Sequence, residues 1–164
     1  KNACLFPEKI NGYFVICHRA NGRDISLDYV SSLEDFKNGL QLEKEGIITA
    51  RSGHWDGAKI GIAGPPIKTD KGWLLIYHGV SEFDRNYRLG YIILDLEDPF
   101  KVLYRSIYPI LEPELEFEKI GVVDNVVFSC GATVVNKQLF VYYGAADKVM
   151  AVATLPLEQL LQVI

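Results

Sequence analysis

The chain copies itself, and the copies dictate what it can fold into. Residues 6–19 (FPEKINGYFVICHR), 65–79 (PPIKTDKGWLLIYHG) and 132–145 (ATVVNKQLFVYYGA) each hold a short segment, a polar turn and a five-residue apolar run. The turns are Asn11-Gly12, Lys71-Gly72 and Asn136-Lys137, and the runs are YFVIC, WLLIY and LFVYY. Tyr13, Trp73 and Leu139 fall in register, at separations of 60 and 66 residues. A variable polar loop follows each run, then a second strand-like stretch (ISLDYV, YRLGYIIL, KVMAVAT). Each copy closes on a related tag, Leu33-Glu34-Asp35, Leu96-Glu97-Asp98 or Leu157-Glu158-Gln159.

The runs are rich in Val, Ile, Tyr, Phe and Trp and are bounded by turn residues, which marks them as strands. Their unbroken apolar character predicts that both faces are covered, as in stacked sheets. Asn11-Gly12 suits a hairpin turn with positive φ at both centres. Helix signals are nearly absent; only Leu157–Leu161 has room for a turn or two. A period of ~40–50 residues made only of strands predicts an all-β chain of β-propeller blades, with repeats near 3–40, 59–105 and 126–164 in one partial domain. A parallel β-helix has much shorter repeats, and a β-sandwich leaves the internal similarity unexplained. Two and a half to three blades do not close a ring of the usual four to eight, and an open set exposes edge strands. The chain also opens on Lys rather than Met, so the expectation is a piece of a longer propeller with more chain before Lys1.

Composition narrows the function classes. The net charge is −4, with 49% hydrophobic and 23% charged residues. Mild acidity gives no general attraction to nucleic acid or to an anionic membrane. No run approaches the ~18 apolar residues that span a bilayer. Cys4, Cys17 and Cys130 form no CxxC pair and read as buried free thiols of a reducing compartment, the cytoplasm.

No Ser-His-Asp set, P-loop or metal-ligand spacing is present. What stands out is placement within the repeats. Arg19 and His78 are expected just past the end of the equivalent strand of their copies, with Asp147 four residues past the third. Lys59 leads into the strand KIGIAG. Equivalent strand ends of a propeller share one face, so these side chains converge on one funnel. Arg, Lys and His together suit an anion, phosphate above all, with Arg as a planar fork and Lys as a point charge. Asp147 suits sugar hydroxyls. Trp55 and Asp56, in the Gly-rich GHWDGAK, suit a stacked sugar ring, or else staple a blade. Glu114, Glu116 and Glu118 alternate with apolar residues and read as a solvated edge without a role.

The strings KNACLFPEKINGYFVICHR, WDGAKIGIAGPPIKTDKGWLLIYHGV, YRLGYIILDLEDP, VVFSCGATVV and VYYGAAD resemble glycoside hydrolase family 130, the β-mannoside phosphorylases and related β-mannosidases. The resemblance runs from Lys1 almost to the C-terminus. It implies a five-bladed propeller of which this chain is the C-terminal half. It further implies that Lys1, Asn2, Arg19, Lys59 and His78 bind phosphate, with Lys1 standing where family members carry Arg, and that Asp147 contacts the sugar. Retention of Arg19, Lys59 and His78 favours phosphorolysis over the hydrolytic branch, which lacks much of this cluster. The implied reaction is a single inverting attack of phosphate on a terminal β-mannosyl unit, giving α-mannose 1-phosphate, without cofactor or metal. The proton-donating Asp is implied to lie before Lys1, leaving no catalytic residue in this chain and the chain alone inactive. Expected partners are a β-mannoside oligosaccharide and phosphate, with no nucleic acid and no membrane, and with room for a homo-oligomer. The alternatives are a β-mannosidase of the same family and a non-catalytic carbohydrate-binding propeller.

Overall fold

The computed structural model describes residues 2–43 and 46–162. Three antiparallel sheets follow one another along the chain. The first is β1 (Ala3–Leu5), β2 (Phe14–Arg19) and β3 (Ile25–Val30), paired in that order. The middle sheet contains β4 (Lys59–Ile62), β5 (Ile67–Thr69), β6 (Gly72–Val80), β7 (Tyr87–Leu94) and β8 (Val102–Arg105), ordered β4-β6-β7-β8 with β5 also pairing β6. The third is β9 (Val127–Val135), β10 (Gln138–Ala145) and β11 (Val149–Pro156), with β10 central. Described helix is limited to a 3-10 piece at Leu33–Asn38, a single turn α1 (Glu116–Lys119) and α2 (Leu157–Leu161). The last is where the sequence left room for one; α1 falls where the glutamates read as strand or loop.

Strand β6 explains why the apolar runs are continuous. It is buried along its whole length, because successive side chains point to opposite faces and each face has its own core. Trp73, Leu75 and Tyr77 join Val15, Cys17, Ile25 and Leu27 of the first sheet. Leu74 and Ile76 join Leu139, Val141 and Tyr143 of the third. The third run departs from this. Along β10, Leu139, Val141 and Tyr143 are buried while Tyr142 is 47% exposed and Met150 on β11 is 70% exposed. That sheet packs on the middle one by a single face.

Turn chemistry sets the register. Asn11 and Gly12 (φ 51° and 85°), Asn136 and Lys137 (51° and 64°), and Ala146 and Asp147 (47° and 51°) all take positive φ, the requirement of tight hairpins whose twist matches their strands. The middle copy differs from the sequence reading. Thr69 pairs with Gly72, so the loop residues are Asp70 and Lys71, and Gly72 already belongs to β6. Cys17 is buried and Cys4 half-buried, but Cys130 is exposed. It lies at a register shift where Tyr142 pairs with Gly131 and Tyr143 with Ser129, and a bulge residue has no partner to hold it inward. Among the described residues, no helix is long and apolar enough to cross a membrane.

Candidate functional site

Three strands of two sheets bring Arg19, Lys59 and His78 to one end of the β2–β4–β6 group. Arg19 is the last residue of β2 and Lys59 the first of β4, facing Val80 of β6. His78 lies inside β6, two residues before its end rather than past it, and faces Gly61 of β4. The side-chain end of Arg19 reaches it across the sheets: Nη2 lies 2.8 Å from His78 Nε2. A guanidinium nitrogen can only donate, so Nε2 accepts and the imidazole proton sits on Nδ1. Glycine makes this approach feasible. A Cβ on Gly61 would stand 2.3 Å from Arg19 Nη2 and 2.6 Å from the His78 ring.

The imidazole is fully buried and lies between aromatic rings. The Phe128 centroid is 4.5 Å away and that of Tyr87 is 6.0 Å away. Lys59 Nζ sits over the Tyr87 ring, 5.0 Å from its centroid. Burial, reinforced by the positive charges of Arg19 and Lys59, pulls the His78 pKa from 6.5 to about 3. The ring is therefore neutral at pH 7 and its Nδ1–H is a permanent donor. Neither Arg19 nor Lys59 makes an ion pair among the described residues. Moreover, among the described residues, the two buried side-chain polar atoms left without a hydrogen-bond partner are Arg19 Nε and His78 Nδ1. Both are donors. Unpaired buried donors are rare and costly, and here two of them accompany two cations without a counter-charge.

Asn2 adjoins this cluster through its backbone. It takes a positive φ of 66°, and its carbonyl accepts the Arg19 N–H at 3.0 Å. It lines a cleft of about 440 Å³ together with Phe128, Cys4 and Ser129. Lys1 lies outside the described residues. Asp147 is in the turn between β10 and β11, two residues past the strand rather than four, and lines a separate cleft of about 580 Å³ with Val122, Lys148 and Met150. Among the described residues, no hydrogen bond or ion pair joins it to Arg19, Lys59 or His78.

Trp55 and Asp56 diverge. The Trp55 indole stacks on Tyr77 at 5.5 Å and donates from Nε1 to the Ile107 carbonyl at 2.9 Å. Gly79 and Gly90 leave room for it, since a Cβ on either would meet the indole at 2.6 Å. Its free edge lines a cleft of about 520 Å³ with His54, Phe83, Arg88 and Tyr108. Of the two readings of Asp56, sugar contact gives way to the staple: its carboxylate has no exposed surface. Its Oδ2 accepts from Arg51 Nη2 at 2.9 Å, Arg105 Nη2 at 2.6 Å and Tyr77 Oη at 2.7 Å, and its Oδ1 accepts from Arg51 Nε at 3.1 Å. These contacts consume its oxygens and make it the staple between the loop before β4 and the middle sheet. Burial raises the carboxyl pKa, and the bonds from Arg51 and Tyr77 with the Arg105 charge bring it below 3.8. Sequence reasoning missed Gly61, Tyr87 and Phe128, which shape the cluster. The KIGIAG string carried a signal for the first, a small residue alternating with buried isoleucines; nothing in one sequence singled out the other two.

Known proteins share this architecture and sequence. The pattern of glycoside hydrolase family 130, described as beta-1,4-mannooligosaccharide phosphorylase, matches residues 1–164. A 1,2-beta-oligomannan phosphorylase of Thermoanaerobacter sp. (strain X514) is 48% identical over 98% of this chain and 52% of its own length. A beta-1,2-mannobiose phosphorylase of the same organism is 50% identical over 97% of this chain and 50% of its own length. The solved beta-1,2-mannobiose phosphorylase of Listeria innocua, in complex with beta-1,2-mannobiose, superimposes with a TM-score of 0.86 at 35% identity, over 99% of this chain and 46% of that one. The chain thus spans about half the length of the curated relatives it matches. With the match running from the first residue to the last, the chain belongs to glycoside hydrolase family 130.

Proposed function

We propose that this chain is the phosphate-binding, C-terminal half of a five-bladed propeller enzyme, an inverting β-mannoside phosphorylase. A phosphate oxygen bonds to the anomeric carbon of a terminal β-mannosyl unit while the glycosidic C–O bond breaks. The products are α-mannose 1-phosphate and a sugar shortened by one unit. The departing oxygen takes its proton from an aspartic acid expected before Lys1. Phosphate is itself the nucleophile, so the second carboxylate of the usual inverting pair is not required. Asn2, Arg19, Lys59 and His78 hold and aim the anion, and Lys1 is proposed to join them. Asp147 is proposed to contact the mannosyl hydroxyls, and Trp55 to offer its free edge to sugar.

The observation that carries the reading is the pair of buried unpartnered donors, Arg19 Nε–H and His78 Nδ1–H, beside the uncompensated Arg19 and Lys59 charges. A tetrahedral dianion supplies acceptors for both donors and the missing counter-charge, and charge-assisted bonds of this kind are the strong ones. A fixed donor set that needs no reorganisation is also what an aimed nucleophile requires. The β-1,2 linkage is favoured because both Thermoanaerobacter relatives and the Listeria structure bear β-1,2 names.

The test uses the full-length protein with β-1,2-mannobiose, with and without inorganic phosphate. α-Mannose 1-phosphate forming only with phosphate is the expected result. Free mannose released at an undiminished rate without phosphate would assign the hydrolase instead, and sugar binding without turnover a carbohydrate-binding propeller.

A further inference from the structure

Glu118, which reads in the sequence as part of a solvated edge, is 2% exposed. Its Oε1 accepts the Tyr143 hydroxyl proton at 2.6 Å, and its Oε2 accepts the N–H groups of Glu114 and Leu115, both at 2.8 Å. Burial pushes this carboxyl up, and the bonds from Tyr143, Leu115 and Glu114 bring it below its ordinary range. A buried, fully bonded carboxylate is expensive to keep and specifies one local arrangement.

That arrangement bears on Asp147. Tyr143 lies on β10, two residues before the strand ends at Ala145. There the chain turns through Ala146 and Asp147, two consecutive non-glycine residues at positive φ. Each costs about 1–2 kcal/mol, and such strain persists only where the surroundings over-determine it. The determining groups come from the segment that Glu118 anchors. The Ala146 N–H donates to the Val126 carbonyl at 2.9 Å, and the Ala146 carbonyl accepts from Val122 at 2.9 Å and Val123 at 3.2 Å. Gly121 packs so close that a Cβ there would stand 2.2 Å from the Ala146 oxygen. Asn125 and Val126 are in turn held by N–H bonds to the carbonyls of Lys119 and Glu118. The other side of this segment reaches the basic cluster. The Asn125 carbonyl accepts the N–H of Tyr87 at 3.2 Å, whose ring lies against Lys59 and His78.

We propose that Glu118 is a positioning residue: through Tyr143 and residues 119–126 it fixes the turn bearing Asp147 at a set spacing from the Arg19–Lys59–His78 cluster. The kinetic part of this rests on the reading above, in which Asp147 contacts sugar and the cluster holds phosphate.

The full-length protein is compared with Glu118→Ala, Glu118→Gln and Tyr143→Phe by two readouts. The first, amide hydrogen exchange, needs no turnover. Exchange at residues 145–148 should rise about tenfold in Glu118→Ala, the equivalent of one lost bond, with β6 unchanged. In the second, Glu118→Ala should raise KM for the mannoside about tenfold and leave KM for phosphate within about twofold. Glu118→Gln, which keeps an acceptor of the same shape, should recover most of the loss. A merely structural role lowers the folded fraction, hence kcat, and moves neither KM. Tyr143→Phe removes a single bond and covers the case in which Glu118→Ala does not fold; it should shift both readouts the same way by a smaller factor. Unchanged exchange at 145–148 in the folded variants, or equal changes in the two KM values, would overturn the proposal. A wild-type protein that does not turn over mannoside with phosphate would sink the functional reading, while the exchange measurement would still decide the positioning claim.

Discussion

His78 is where the physics of one side chain is most exposed to test. Its imidazole is neutral in the folded protein, with a pKa near 3 against an ordinary 6.5. Below pH 6.5 the unfolded chain therefore binds a proton that the native state refuses, and stability falls as pH drops from 6.5 toward 3. Denaturant unfolding at pH 7.5, 6 and 5 should show this decline, and His78→Asn should flatten it over that window. An identical pH slope in the variant would mean that the imidazole is not the group responsible. Gly61 is the second test at this scale. Gly61→Ala places a methyl within 2.3 Å of Arg19 Nη2 and 2.6 Å of the His78 ring, so the guanidinium or the ring must move. Overpacking of this kind costs about 1–3 kcal/mol. It should lower thermal stability and raise KM for phosphate together; a variant with wild-type phosphate kinetics would show that the close seat is not needed.

At the level of elements, the Asp56 staple ties the loop before β4 to the middle sheet. Asp56→Ala leaves the Arg51 and Arg105 guanidiniums, 24% and 13% exposed, without their shared carboxylate. Removing one partner of a buried ion pair costs about 3–5 kcal/mol. Denaturant titration at pH 7 should show a loss of that size, and a change under 1 kcal/mol would mean that the network is replaceable. Because this carboxyl titrates below 3.8 when folded, the stability it lends is complete above pH 3.8 and is lost only at lower pH. Elements were also the most legible part of the sequence. The two apolar stretches of each copy appear as strands, as with YRLGYIIL in β7, because composition and turns agreed on them. The WLLIY run revealed its double burial, since each face of β6 has a core, whereas LFVYY misled because the same pattern sits on a sheet with one face open. For the candidate site, placement within the repeats and the family resemblance together bring Arg19, Lys59 and His78 into view. Glu118 reads in the sequence as solvated, and Asp56 as either sugar-binding or a staple, because a carboxylate in a polar string gives no hint that a distant tyrosine or arginine will meet it; the structure shows the staple.

For the whole molecule, the middle sheet is the part that holds the other two. Its two cores clamp the first and third sheets, and that packing brings Arg19 of β2 to His78 of β6, 59 residues later in the chain. The proposed function rests on this convergence, because neither residue alone would make an oxyanion site. Phosphate kinetics of the full-length protein with Arg19→Ala test the claim most directly. Loss of one charge-assisted contact costs about 1.5–3 kcal/mol, so KM for phosphate should rise by about 10- to 150-fold, with KM for the mannoside little changed. A variant that uses phosphate with the wild-type KM would contradict the account.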